Sequence, residues 1–253
     1  MKNLEDETLF LSNDFIFYTL EGEGSLVGIP SVFMRLAMCN LTCRAWATPD
    51  NPSGCDSYSA WSVSNKMTFK EIYEKYKEEL DRVINDEVIL KITGGEPLLQ
   101  QKQLLKFLKY ITSLRKEKYS AIVVDFETNG TLVPSEEFNN YEWYTTYTVS
   151  PKLSNNGDPL SKRYNEEALR WHAQNEISTF KFVVNSESDI QEIIEKYSDM
   201  FYIMRHKIYL MPCCGSRQEL IENSEKVAEW CKKYGFNFSS RLQLLIWDRA
   251  LGV

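Results

Sequence analysis

Val88-Ile89-Leu90-Lys91-Ile92-Thr93 runs directly into Gly94-Gly95-Glu96-Pro97, and how these ten residues are read decides the fold. Six mostly aliphatic and β-branched residues make a strand of ordinary length. The glycines and proline then end it: the glycine pair permits close backbone approach, and proline suits the first turn of a helix. The same succession recurs downstream. Residues 121–126 read as a strand leading into Glu127-Thr128-Asn129-Gly130, and residues 145–149 as one leading into Ser150-Pro151-Lys152. Further strands are predicted at 32–36, 180–184, 208–211 and 242–247.

Segments of helical period lie between the strands. Residues 69–80 read as one helix capped by Thr68. Leu104, Leu105, Leu108 and Ile111 form an apolar stripe, as do Ile190, Ile193, Ile194 and Tyr197, and Leu220, Ile221, Val227, Ala228 and Cys231. Alternation of this kind is the pattern of βα units. Six or seven strands with fewer long helices predict an incomplete, modified (β/α) barrel of the α/β class, one domain over residues 1–253. Three polar motifs follow strands at one rim, the carboxyl edge where such folds bind ligands.

Composition narrows the function. A net charge of -7 argues against broad nucleic-acid binding, which needs a basic surface. No apolar run approaches the roughly 20 residues of a membrane helix, and residues 1–7 are polar, so a cytoplasmic location is expected. Six cysteines against two histidines point to metal or redox chemistry through sulfur rather than to a disulfide framework.

The cysteines begin with Cys39-Asn40-Leu41-Thr42-Cys43 and continue, after residues 44–54, with Cys55-Asp56-Ser57. Three thiolates can hold three irons of a cubane and leave the fourth iron open. They can also begin a structural zinc site, with a fourth ligand drawn from Cys213, Cys214 or Cys231. Inert thiols are the third reading. Cys231 lies on an apolar stripe and reads as core; Cys213 and Cys214 end a strand at the active rim.

Cys-x3-Cys followed by a third Cys resembles the radical S-adenosylmethionine signature, whose usual form closes with Cys-x2-Cys. Here residues 44–54 form an inserted, turn-rich cluster loop, and lengthening a flexible loop costs little. Phe17-Tyr18-Thr19-Leu20-Glu21-Gly22-Glu23-Gly24, Gly28-Ile29-Pro30 and Phe33-Met34-Arg35 resemble the opening of the 7-carboxy-7-deazaguanine synthase family. Gly94 to Pro97, Glu127 to Thr131, Ser150 to Lys152, Arg241 to Trp247 and the final Gly252-Val253 continue the likeness in that family's order.

The resemblance implies a 4Fe-4S cluster on Cys39, Cys43 and Cys55, its open iron bound by the amino and carboxylate groups of S-adenosyl-L-methionine. It places Asp56, Gly95, Glu96, Ser150 and Lys152 at that cofactor, with no side chain as the catalyst because the cofactor carries the radical chemistry. Leu20, Glu21, Gly22, Glu23, Arg35, Thr93 and Val253 match substrate positions. Glu21 and Glu23 would accept from the amino and imino groups of a pterin, and the planar fork of Arg35 would take its carboxylate. Read alone, the same glutamates suit an exposed acidic turn, Arg35 a surface ion pair and Thr93 an ordinary strand residue. Glu21 stands where the family commonly has Gln. Ser57 stands where it commonly has Thr, a ligand of Mg2+ beside the substrate carboxylate.

The implied reaction contracts 6-carboxy-5,6,7,8-tetrahydropterin to 7-carboxy-7-deazaguanine with loss of ammonia, for 7-deazaguanine (queuosine) biosynthesis. An electron donor such as flavodoxin or ferredoxin and a homodimer are implied too. Two rival readings are a radical activase of a glycyl-radical enzyme and a non-catalytic, zinc-stabilised binding module.

Overall fold

The computed structural model describes residues 3–47, 52, 54, 55, 57–116, 121–139 and 142–250. Asp56 and Val253, both expected at the site, lie outside these residues, as does most of the second half of the inserted loop. Nine strands form one sheet in the order β3-β1-β2-β4-β5-β6-β7-β8-β9. They are β1 (Thr8–Leu20), β2 (Pro30–Leu36), β3 (Asn65–Thr68), β4 (Ile89–Gly94), β5 (Ile122–Thr128), β6 (Trp143–Val149), β7 (Ser178–Val184), β8 (Ile208–Pro212) and β9 (Asn237–Phe238). From β2 onward the neighbours are parallel, while β1 runs antiparallel to both β2 and β3. The sheet is open, with β3 and β9 at its edges, as an incomplete barrel requires.

Ten helices accompany the sheet among the described residues: α1 (Tyr58–Trp61), α2 (Phe69–Lys75), α3 (Lys77–Ile84), α4 (Gln101–Ser113), α5 (Leu160–Arg163), α6 (Glu166–Gln174), α7 (Glu187–Ile193), α8 (Asp199–Phe201), α9 (Arg217–Tyr234) and α10 (Leu242–Trp247). None is long and apolar enough to cross a membrane. The expected stripe of α4 is buried throughout at Leu104, Leu105, Leu108 and Ile111. On α9, Leu220, Val227 and Cys231 are buried but Ile221 is 57% exposed, because it lies on the flank of that stripe.

Strand residues alternate between two environments. Val32, Met34, Leu90, Ile92, Val124, Phe126, Phe180 and Phe182 belong to one apolar core with the helices. The residues between them carry Arg35 opposite Thr93, Lys91 opposite Asp125, Glu127 opposite Thr148, and Lys181 beside Tyr209. One face of the sheet is thus an ordinary core, and the other is lined by charge.

Two expectations need correction. Residues 242–247 are helix α10, not a strand. So short an apolar run suits either period, and the last place in the sheet is taken by β9. The backbone instead turns back, with Leu245 N–H donating to Arg241 C=O and Asp248 N–H to Leu244 C=O. Residues 69–80 are not one helix. Thr68 does cap α2, in a reciprocal capping box with Glu71, but the backbone leaves helical geometry at Tyr76 (φ -117°, ψ 38°) before α3 begins, and Tyr76 turns into the core. Strands β1, β3 and β9 were not foreseen; β1 is polar in its middle and shifts register between Leu11 and Ile16.

Candidate functional site

The site has two parts, one beyond the carboxyl end of β2 and one on the charged face of the sheet. The first is the cysteine loop, which leaves β2 through two residues in the left-handed region, Met38 (φ 75°) and Cys43 (φ 51°). Side chains lack this preference, so outside contacts must hold the conformation. Asp158 supplies several: it accepts from Thr42 N–H (3.0 Å), Thr42 Oγ1 (2.8 Å) and Cys43 N–H (2.9 Å). Burial opposes the charge of Asp158, but these donors outweigh it and hold the carboxyl below its usual range. On the other side, Asn40 is fixed between Thr131 Oγ1 and Asn129 Nδ2, both at 2.8 Å.

The Gly94-Gly95-Glu96-Pro97 turn packs beneath this loop. Gly94 has φ 130°, and a Cβ on it would stand 2.1 Å from Leu36 C=O. Glu96 is fully buried, and both its oxygens are engaged by the protein: Oε1 by Leu98 N–H (3.0 Å) and Thr128 Oγ1 (2.9 Å), Oε2 by Asn129 N–H (2.7 Å). Burial pushes its carboxyl up to about 7, against these donors. Glu96 therefore ties the turn after β4 to the turn after β5.

Cys55 is carried back to Cys43 by Gly54, whose Cβ would meet Cys43 C=O at 2.5 Å. The two ends of the inserted loop are thus in contact, and the free thiols of Cys43 and Cys55 share a hydrogen bond. Burial pushes the Cys39 thiol up to about 11. The bond to Cys55, then burial, raises Cys43 further. Lys152 opposes both rises. Each sulfur also receives an N–H at 3.5 Å: Cys39 from Leu41, Cys43 from Asn156 Nδ2, Cys55 from Trp61 Nε1.

This donor set fits an iron–sulfur cluster. Buried thiols with high pKa are poor places for free thiolate, whereas a metal supplies the missing positive charge, and N–H donors to sulfur are a recognised way of tuning such clusters. Among the described residues, no three Cys, His, Asp or Glu side chains converge closely enough for one metal ion. A cubane takes each thiolate on a different iron. Cys213 and Cys214 lie elsewhere, at the end of β8, where Arg241 Nη1 donates to Cys214 C=O at 2.6 Å.

Of the remaining cofactor candidates, Ser150 is buried and Lys152 Nζ donates to its C=O and its Oγ, both at 2.9 Å. Ser57 starts α1 as its N-cap residue.

The second part of the site is the charged interior. Lys91, 1% exposed, lies 2.8 Å from Glu21 and 2.6 Å from Asp125. Burial works against its charge, but Asp125 and Glu21 lift its pKa far above the usual lysine range. Burial raises Glu21, against the pull of Lys91. Glu21 is no exposed acidic turn: it is buried and also accepts from Glu23 N–H at 3.0 Å. Glu23 accepts from Lys181 (2.5 Å), Arg241 Nε (2.9 Å) and Gln243 Nε2 (2.7 Å). Burial again opposes its charge, and Lys181 and Arg241 prevail, holding Glu23 well below the usual range. Glu127 accepts from Lys181 at 2.6 Å and Thr93 Oγ1 at 3.3 Å; against burial, Lys181 and Lys91 bring it to about 2.

The C-terminal segment closes one side of this interior. Gly22 C=O accepts from Leu242 N–H at 2.9 Å, and a Cβ on Gly22 would lie 1.9 Å from Gln243 Oε1. Leu20 precedes this loop as the last residue of β1. Arg35 is half-buried with its guanidinium 5.9 Å from the centroids of both Phe17 and Phe33, which stack on each other. Its place opposite Thr93 in the sheet aims it to the same side as the charged residues.

Lys91, Asp125, Lys181, Asn156 and Asp158 were missed from sequence. Glu127, Arg241 and Gln243 were noticed only as parts of motifs. One signal was present: Ile-Leu-Lys-Ile, Val-Asp-Phe-Glu and Phe-Lys-Phe put charges at alternate positions inside apolar strands, where they need a reason.

Comparisons agree with this geometry. A family described as "4Fe-4S single cluster domain" matches residues 20–166. The 7-carboxy-7-deazaguanine synthase of Hyperthermus butylicus is 32% identical over 91% of this chain and 90% of its own length. That of Pyrobaculum aerophilum is 32% identical over 94% of this chain and 95% of its own. For Aquifex aeolicus the figures are 32%, 87% and 85%. In structure, QueE from Escherichia coli superposes with a TM-score of 0.61 over 94% of this chain and 97% of that one, at 19% identity, which shows a shared fold. With close to a third of its residues shared across nearly its whole length, the chain belongs to the 7-carboxy-7-deazaguanine synthase family.

Proposed function

We propose that this protein is a radical S-adenosylmethionine lyase that converts 6-carboxy-5,6,7,8-tetrahydropterin to 7-carboxy-7-deazaguanine with loss of ammonia. One observation carries the reading beyond family membership: Gly95 packs on Cys39 while Thr93, two residues before it, bonds to Glu127. A single strand end thereby joins the cysteine loop to the charged interior. When bound, the cluster and S-adenosylmethionine supply the one-electron chemistry that starts the reaction.

The chain's own residues do the rest. Cys39, Cys43 and Cys55 hold the cluster. Gly95 gives the methionine amino group access to backbone, Glu96 holds that turn in shape, and Ser150, Lys152 and Asp56 bound the cofactor. Leu20, Glu21, Gly22, Glu23, Thr93 and Val253 meet the ring, their acceptors matched to its N–H groups. Arg35, held flat by two phenyl rings, takes the carboxylate in its planar fork. Ser57 would offer its hydroxyl oxygen to Mg2+, which would add positive charge for the substrate carboxylate. The chain works as one domain and a homodimer in the cytoplasm, with a flavodoxin or ferredoxin as electron donor.

The test is anaerobic incubation of reconstituted protein with the carboxytetrahydropterin, S-adenosylmethionine, Mg2+ and a reductant, followed by mass spectrometry. The deazaguanine and ammonia should form together. A loaded cluster that cleaves S-adenosylmethionine yet never yields the deazaguanine would overturn the assignment.

A further inference from the structure

Lys181 lies on the charged face of β7, with its side chain 3% exposed. The two carboxylates it bridges are more open: Glu23 is 15% exposed and Glu127 26%. The ammonium is therefore the most buried of the three, and the carboxylates are the groups a ligand can reach. Glu23 comes from the loop after β1 and Glu127 from the end of β5, so a single cation ties together two segments far apart in the chain. We infer that Lys181 is a positioning residue for the substrate, holding Glu23 and Glu127 in place as charged acceptors for the N–H edge of the ring.

The acceptor count supports this. An ionised carboxylate offers about four lone-pair sites. Lys181, Arg241 and Gln243 use three on Glu23, whereas Lys181 and Thr93 use two on Glu127. The remaining capacity is left for further donors. Stability alone gives little reason to keep such a group, because replacing a buried ion cluster with apolar side chains is often neutral or stabilising.

Other charges bear on the same groups. Lys91 opposes the charge of Lys181 and lowers Glu127, while Glu23 raises Glu127. Glu127 in turn raises Glu21. Beyond Glu23 stand Arg241 and the Cys214 thiol, and Tyr209 neighbours Lys181 on β8. Without Lys181, Glu127 keeps one cation, Lys91, and Glu23 keeps Arg241, while burial continues to push both carboxyls up. Protonation then spends acceptor sites on the proton.

The inference rests on the proposed function, and one binding experiment separates the two. Pterin affinity would be measured by anaerobic calorimetry on the reconstituted protein with S-adenosylmethionine and Mg2+, across a pH series from mildly acidic to mildly alkaline. Wild type, Lys181→Met and Lys181→Arg would be compared. Lys181→Met should bind about tenfold to a hundredfold more weakly at the acid end, the scale of a lost charge-assisted contact, and recover affinity as pH rises. Lys181→Arg should follow the wild-type profile. If Lys181→Met does not fold, Lys181→Gln, which loses the charge but keeps a donor, carries the same expectation. Wild-type affinity in the neutral variant, or a loss of equal size at every pH, overturns the role of Lys181. Failure of the wild type itself to bind the pterin instead overturns the proposed function, and this inference with it.

Discussion

Gly95 lies so close to the cysteine loop that a Cβ on it would stand 2.0 Å from the carbonyl oxygen of Met38 and 2.9 Å from the Cβ of Cys39. The neighbouring bond, Glu96 N–H to Met38 C=O at 2.9 Å, pins the two segments together. Backbone cannot yield as a flexible side chain can, so overpacking here displaces the loop. Gly95→Ala should therefore lose most of its cluster while the sheet still folds. Iron and sulfide content after anaerobic reconstitution, read beside circular dichroism, checks this; a full complement of iron would show that the loop tolerates the shift.

Cys55 meets Cys43 across the inserted loop, whereas Cys213 and Cys214 lie with Arg241 at the end of β8. Cys39→Ala, Cys43→Ala and Cys55→Ala should each lose the cluster, and Cys213→Ala and Cys214→Ala should keep about four irons per chain, as a cubane holds. Retention in Cys55→Ala with loss in either β8 variant would reassign the third ligand.

Trp61 donates its indole N–H to Cys55 Sγ. A donor to sulfur favours the reduced, more negative cluster and so raises its potential. Trp61→Phe keeps an aromatic ring and removes that donor, and should move the potential downward. An electrochemical titration followed by electron paramagnetic resonance would read the change. An unmoved potential would mean that the indole does not bond to the bound cluster.

Arg35 stands over Phe17 and Phe33 and has no ion pair among the described residues. Arg35→Ala should cost roughly 1.5–3 kcal/mol of substrate binding, the worth of a charge-assisted contact, while S-adenosylmethionine cleavage without substrate survives. Arg35→Lys should recover little, because an ammonium lacks the planar fork. Equal loss of both activities in Arg35→Ala would give Arg35 a role in folding instead.

What could be read from the chain depended on how local the chemistry was. Cys39 and Cys43 are four apart, and Gly94, Gly95 and Pro97 form one turn, so their spacing carries the meaning. Lys181 finds Glu23 across 158 positions and Lys91 finds Asp125 across 34; no window on the sequence joins such partners. Asp158 escaped for the same reason, since it serves the cysteine loop from more than a hundred residues away. The parallel strands were legible because apolar β-branched runs lie on their core face. Strand β1 was not, because its irregular register and polar middle break the alternation, and α10 was misread because a short apolar run has no distinctive period.

His172 is fully buried on α6, between the rings of Tyr147 and Trp171. Its Nδ1 meets Ser178 Oγ at 3.2 Å, and its Nε2 has no partner among the described residues. Burial lowers its pKa to about 3 from 6.5. A folded-state pKa depressed below the unfolded value means that unfolded chains take up the proton first. The stability due to neutral His172 is thus fully present above about pH 6.5 and is lost as pH falls toward 3. Between pH 7 and 5 the loss should be about 2 kcal/mol, close to 1.4 kcal/mol for each pH unit once below the unfolded pKa. Glu96, raised by burial to about 7, acts oppositely in the same window, since its stability is lost as pH rises. The informative quantity is therefore the difference between two proteins. His172→Gln keeps a polar partner for Ser178 and cannot titrate, so denaturant unfolding of wild type minus His172→Gln should fall with acid along this slope. A difference that stays flat from pH 7 to 5 would mean that His172 takes up its proton as readily in the folded chain as in the unfolded one.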